Sequence, residues 1–177
     1  MAGRLARVAD GENDLRLSFQ RYMLAAYLDD VLVVASERLA AMTDGRYRLL
    51  RRQQGDKRRA LGLDLEVSDA YTGTRRPVST LSGGETFQAS LALALGLAEV
   101  VQRYEGGVKL DTVFVDEGFG SLDPDNLAAA VDTLIGLQTG GRLVGIISHV
   151  ADLREQIEAC LEVTTTRAGS RARFVVP

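Results

Sequence analysis

The chain has 177 residues, 46% apolar and 25% charged, with a formal net charge of −3. That is an ordinary composition for a soluble domain with room for a sizeable core, and it excludes a uniformly basic nucleic-acid binder while leaving room for a local basic patch. The single cysteine, Cys160, excludes an internal disulfide, the start of the chain lacks an apolar signal segment, and no apolar run reaches membrane length, so a soluble cytoplasmic protein without a membrane partner is expected.

The first long segment, 14–42, places Leu15, Phe19, Tyr22, Met23, Leu28, Leu32, Ala35, Leu39 and Met42 at helical spacing. It reads as one long helix or two, or as the end of a coiled coil, and stops at the turn Thr43-Asp44-Gly45. RYRLLRR and LGLDLEV follow, the second alternating Leu61, Leu63, Leu65 and Val67 with polar residues, and together they predict a hairpin. Its connection carries Arg51, Arg52, Lys57, Arg58 and Arg59, which suits either a solvated tip or a phosphate-contacting patch. Residues 71–80 read as a polar loop.

The second half alternates. A helix is predicted over 86–104, a strand buried on both faces over 112–115, a helix over 124–137, a strand over 143–147, a further helix in SHVADLREQI, and one or two edge strands within 164–176. Apolar strands alternating with amphipathic helices imply a parallel sheet with crossover connections.

Three stretches carry chemistry. Ser82-Gly83-Gly84-Glu85 fits a capping box whose glycines leave first-turn amides bare, so it is either a plain helix cap or an anion site. Asp116-Glu117 closes an apolar strand at the edge where open parallel sheets bind ligands. There Asp116 suits Mg²⁺, which prefers hard oxygen ligands, and Glu117 suits a base for water. His149, the single histidine, follows the next strand and so lies at the same edge, able to donate to a phosphate or position water.

The order of these parts is more specific than any one of them. MTDGRYRL (42–49), TLSGGETFQASLALALGLAEVV (80–101), FVDEGFGSLD (114–123) and ISHVADL (147–153) together resemble the SMC-like DNA-repair ATPases of the ABC superfamily, most closely the SbcC type, over nearly the whole chain. The resemblance implies the C-terminal half of an ABC-type P-loop NTPase-like α/β head, a parallel sheet with flanking helices plus a hairpin and a long N-terminal helix. Residues 1–43 would be the returning end of a coiled coil and its docking helix, and 44–177 the C-terminal lobe. It makes Ser82, Gly83, Gly84 and Glu85 the signature motif that meets ATP bound by the opposite head. Asp116 becomes the Mg²⁺ residue, Glu117 the base, His149 the switch histidine, and Ser121, Leu122 and Asp123 the D-loop at the dimer interface. Gln88 is given no role.

No GxxxxGK followed by Ser or Thr is present; the nearest spacing, from Gly136 to Gly141, lacks the lysine and runs from helix to strand. The resemblance therefore implies a fragment whose partners are a P-loop-bearing N-terminal lobe of the same protein, a second copy of the head, an SbcD-type nuclease and double-stranded DNA ends, at the nucleoid. The implied function is ATP binding and hydrolysis that controls DNA-end processing. The isolated chain is expected to be inactive and to self-associate through surface meant for the absent lobe. Three other readings share parts of the pattern: a different SMC-like head of the RecN, RecF or chromosome-structuring kind, an interaction module without hydrolysis, and a transporter ATPase. Glu117 argues against the second, and the missing P-loop with the long upstream helix against the third.

Overall fold

The computed structural model describes residues 2–13, 17–52, 63–104, 106, 111–139, 141–157, 159–167 and 169–176. The long helical segment holds one helix, α2 (Phe19–Met42), and a short helix that the sequence reading did not assign, α1 (Ala2–Ala9), precedes it. Ser18 starts α2 by accepting a hydrogen bond from the Arg21 N–H at 3.3 Å, which explains why the helix begins later than periodicity indicates. The apolar stripe is also less buried than expected. Phe19, Tyr22 and Met23 lie exposed, and of the stripe only Leu32, Ala35, Leu39 and Met42 are fully buried. α2 ends where Asp44 and Gly45 take positive φ, with the Gly45 N–H returning to the Ala40 carbonyl at 2.7 Å.

The predicted hairpin is present as β1 (Tyr47–Arg51) and β2 (Leu65–Asp69), antiparallel, with Leu49 opposite Val67. A third strand, β3 (Thr74–Pro77), pairs with β2 in the region read as a loop. Ser36 ties α2 to this sheet, donating to the Leu49 carbonyl and accepting from the Leu49 N–H, both at 3.0 Å. Asp69, buried, accepts from Arg46 Nε and Nη2 at 3.3 and 3.1 Å and from the Tyr71 N–H at 2.9 Å.

α3 (Gly83–Tyr104) lies along α2. Gly96 makes the close approach possible, since a Cβ there would stand 3.0 Å from the Ala35 nitrogen and the Val31 carbonyl oxygen. Next come β4 (Thr112–Asp116), α4 (Pro124–Thr139) and β5 (Leu143–Ile147), and β4 and β5 pair in parallel with Phe114 opposite Gly145. α5 (Ala151–Gln156) follows, then an antiparallel pair, β6 (Cys160–Thr166) and β7 (Gly169–Val175). The core joins α2, β1, β2, α3 and α4 through Leu39, Tyr47, Val67, Ala92, Leu95 and Leu134.

The expectation for β4 is overturned as well. β4 is not buried on both faces: Val113 and Val115 pack on the core, whereas Phe114 is 68% exposed with its ring over Gly145. An uninterrupted apolar run reads as two-faced burial, and here one face of the strand pair has no cover among the described residues. Leu143 and Ile147 are exposed beside it. No described helix is long and apolar enough to cross a membrane.

Candidate functional site

The capping box forms as read. The Glu85 N–H donates to Ser82 Oγ at 3.3 Å, and Glu85 Oε2 accepts from the Ser82 N–H at 2.8 Å. The Thr86 N–H uses the Ser82 carbonyl. That leaves the amides of Gly83 and Gly84 at the open end of α3, ahead of any intrahelical acceptor. Gly84 also has a packing reason to lack a side chain: a Cβ there would meet the Ser121 carbonyl oxygen at 3.1 Å and Leu122 Cδ2 at 3.4 Å. The signature loop therefore rests on the loop after β4, in its own chain.

The Glu85 side chain faces Tyr47 of β1. Its Oε1 accepts from the Tyr47 hydroxyl at 2.6 Å and lies 3.9 Å from Arg46 Nη1, while Arg76 Nη2 stands 3.8 Å from Oε2. Arg76 Nη2 donates to the Tyr47 oxygen at 3.3 Å and Nη1 donates to Thr80. Burial pushes the Glu85 carboxyl up, but the hydrogen bonds from Tyr47 and Ser82 and the nearby Arg76 outweigh it and hold the group below the ordinary carboxylate range. Burial and the Glu85 partner raise the Tyr47 phenol. Sequence reasoning missed Tyr47 and Arg76 as supports of this loop, although Tyr47 stands within the quoted MTDGRYRL stretch.

At the carboxyl end of the parallel pair, Asp116 closes β4 opposite Ile147. Glu117 takes φ +54°, a left-handed value few side chains adopt, and its N–H donates to the Ile147 carbonyl at 2.9 Å. Gly118 follows with φ +90°, and Ser121 Oγ donates back to the Gly118 carbonyl at 2.9 Å. Phe119 is buried edge-on against Phe87 of α3, ring centroids 4.9 Å apart. His149 Nδ1 lies 3.9 Å from Glu117 Oε1, both side chains largely exposed. The two ends predicted to share one edge therefore meet.

Asp123 caps α4. Its Oδ1 accepts from the Asn126 N–H at 2.9 Å and Oδ2 from Asn126 Nδ2 at 2.6 Å, and these bonds hold the carboxyl below its ordinary value. The basic segment is less uniform than its composition suggests. Arg51 makes a two-pronged pair with Asp29 at 2.7 Å, and Arg52 stands 3.3 Å from Glu66. Lys57, Arg58 and Arg59 lie outside the described residues.

The donor chemistry at Asp116 suits Mg²⁺. An exposed carboxylate at the strand end offers hard oxygens, and among the described residues no group of three or more acidic, histidine or cysteine side chains could hold a metal. Mg²⁺ is commonly bound through one or two carboxylates with waters and substrate phosphates, which is the arrangement this edge allows.

Residues 52–135 match the family model described as SbcC/RAD50-like, Walker B motif. The chain is 53% identical over 176 residues to the SbcC component of the SbcCD nuclease of Vibrio cholerae and 50% identical over 171 residues to that of Staphylococcus saprophyticus, covering 99% and 97% of this chain. It spans 17% of the length of each. Among solved structures, one from work on ATP-driven dimerization and DNA-stimulated activation of SMC ATPases aligns with a TM-score of 0.66 at 17% identity, covering 88% of this chain and 89% of that one. The SMC head domain from Thermotoga maritima aligns with a TM-score of 0.57 at 18% identity, covering 90% and 52%. These structural likenesses concern the fold.

Proposed function

The chain belongs to the SbcC/RAD50-like family, and from that premise we propose that it is the Walker B lobe of an ATPase head that binds and hydrolyses ATP at a dimer interface. The observation that carries this reading is Glu117, left-handed, anchored to Ile147 and 3.9 Å from His149, next to Asp116 at the end of β4. A left-handed residue other than glycine costs of order 1–3 kcal/mol, and such strain concentrates at functional sites.

In this reading Asp116 holds Mg²⁺, which would supply charge neutralisation on the transferring phosphoryl group. Glu117 orients the attacking water and receives its proton as the water oxygen bonds to the γ-phosphorus and ADP departs in line. His149 donates a hydrogen bond to a γ-phosphate oxygen. Ser82 Oγ and the amides of Gly83 and Gly84 serve the nucleotide of the opposite head, so neighbouring loops of one chain work on two different ATP molecules. A P-loop-bearing N-terminal lobe supplies the remaining phosphate contacts, and residues 1–43 lead in from a coiled coil. The cycle controls the binding and processing of double-stranded DNA ends with an SbcD-type nuclease. Any contact with DNA through the 51–59 segment rests on Lys57, Arg58 and Arg59, since Arg51 and Arg52 are paired within the chain.

The test is ATP hydrolysis by this chain alone and after mixing with a P-loop-bearing lobe, repeated with Glu117→Gln and Ser82→Arg. Activity only in the mixture, lost in both variants, is expected. Activity of the isolated chain that Glu117→Gln leaves untouched would overturn the reading.

A further inference from the structure

Gln88, on the second turn of α3, is a buried polar residue, 1% exposed, that the reaction outlined above does not use. Its Nε2 donates to the carbonyl of Met42, the last residue of α2, at 3.0 Å and to Asn126 Oδ1 at 2.9 Å. The orientation of both carboxamides follows from chemistry. A main-chain carbonyl only accepts, so the Gln88 nitrogen must face Met42, and its second hydrogen then requires the oxygen of Asn126. That turns Asn126 Nδ2 to Asp123 Oδ2 at 2.6 Å, while the Asn126 N–H holds Asp123 Oδ1 at 2.9 Å. Three elements thus meet on one side chain: the end of α2, α3 and the start of α4.

We infer that Gln88 is a positioning residue that sets the Ser121–Asp123 loop in register with the end of α2, acting through Asn126 on Asp123. The inference rests on the reading that this loop works at the interface between heads. Two features make the link directional. The Met42 carbonyl belongs to the last turn of α2, where carbonyls have no intrahelical partner, so it needs a donor and anchors Gln88 firmly. Asn126 contributes both of its side-chain polar atoms, one to each neighbour, so it cannot turn over without losing both bonds. A shift of the end of α2 therefore reaches Asp123 through two hydrogen bonds rather than through apolar contacts that slide.

The alternative is that Gln88 only caps α2. The two roles separate in the whole ATPase, this chain together with its P-loop lobe. Gln88→Leu keeps the volume and removes both donations. It should lower kcat by about tenfold or more, the scale of a misplaced group at a reacting centre, with KM for ATP unchanged within about twofold. In an Asp123→Ser background, which retains a cap on α4, the same substitution should change kcat by less than about twofold, because its route to the site is already cut. Asn126→Asp still accepts from Gln88 and leaves Met42 capped, but places a carboxylate against Asp123; it should reproduce the loss of kcat without lowering the melting temperature of the α2 core. An equal loss from Gln88→Leu in both backgrounds, or full activity in Asn126→Asp, would reduce Gln88 to a cap and overturn the inference. Failure of the unsubstituted ATPase to hydrolyse ATP would instead overturn the reading beneath it.

Discussion

Tyr47→Phe isolates one bond that holds the signature loop. The ring is 2% exposed and packs in the core, and phenylalanine keeps that shape. What disappears is the 2.6 Å hydrogen bond to Glu85 Oε1 and the acceptor that Arg76 meets at 3.3 Å. A hydrogen bond to a charged group contributes about 1.5–3 kcal/mol. Glu85 is not left alone, since it keeps the Ser82 N–H at 2.8 Å and has Arg76 at 3.8 Å, so the lower end, about 1.5 kcal/mol, applies. For a chain of this size each kcal/mol moves Tm by about 2–4 °C, giving a fall of about 3–6 °C. Thermal unfolding followed by far-ultraviolet circular dichroism reads it. In the whole ATPase the same variant should slow ATP turnover, because Glu85 positions the Ser82 N–H and Oγ. A Tm within about 1 °C of the parent would refute the reasoning, showing that the capping box alone orients Glu85 and that Tyr47 contributes only its ring.

Gly118→Ala should lower Tm by several degrees and reduce ATP turnover, since φ is +90° and a Cβ would stand 2.3 Å from the Phe87 ring, with about 1–2 kcal/mol of left-handed strain added; an unchanged melt and rate would show that this turn relaxes freely. Gly96→Leu should cost about 1–3 kcal/mol by forcing α3 away from Ala35 and Val31, measured by urea unfolding, and a midpoint equal to the parent's would disprove the tight contact. Acid should destabilise the fold. Asp69, held by Arg46, and Glu85 and Glu99, where hydrogen bonds outweigh burial, all have carboxyls below their ordinary values. Each binds its proton less readily folded than unfolded, so their contribution is complete above the unfolded values, about 3.9 for Asp and 4.3 for Glu, and is lost as pH falls through the lower folded ones. Melting temperatures between pH 7 and 3 check this, and a Tm that rises on acidification below pH 4 would contradict it.

Where local pattern and final environment agree, the sequence was readable. Ser82 and Glu85 are three residues apart and cap each other. The strand 143–147 coincides with β5, and α4 differs from expectation only at its end. Two of the failures come from partners that local pattern does not reveal. β3 consists of Thr-Arg-Arg-Pro, which has no strand signal of its own and is extended because β2 supplies hydrogen bonds. Tyr47 and Glu85 are 38 residues apart, and nothing local marks either as the other's support. The parallel arrangement around Asp116, Glu117 and His149 was legible because crossover topology places strand ends at one edge. The left-handed turn at Glu117 was not, since glutamate carries no preference for it.

The described structure is uneven in how firmly its parts are held. β7 has no buried residue, and β6 and β7 make their main-chain bonds to each other, whereas α2, β1 and α3 enclose the buried side chains from Val31 to Leu49 and from Gln88 to Val100. Local opening of a segment costs little when few side chains must leave a core. In heavy water the amides of β6 and β7 should therefore exchange early and independently of denaturant. Those of α3 should wait for the whole fold to open, so the chain has two time scales of opening within one continuous sequence.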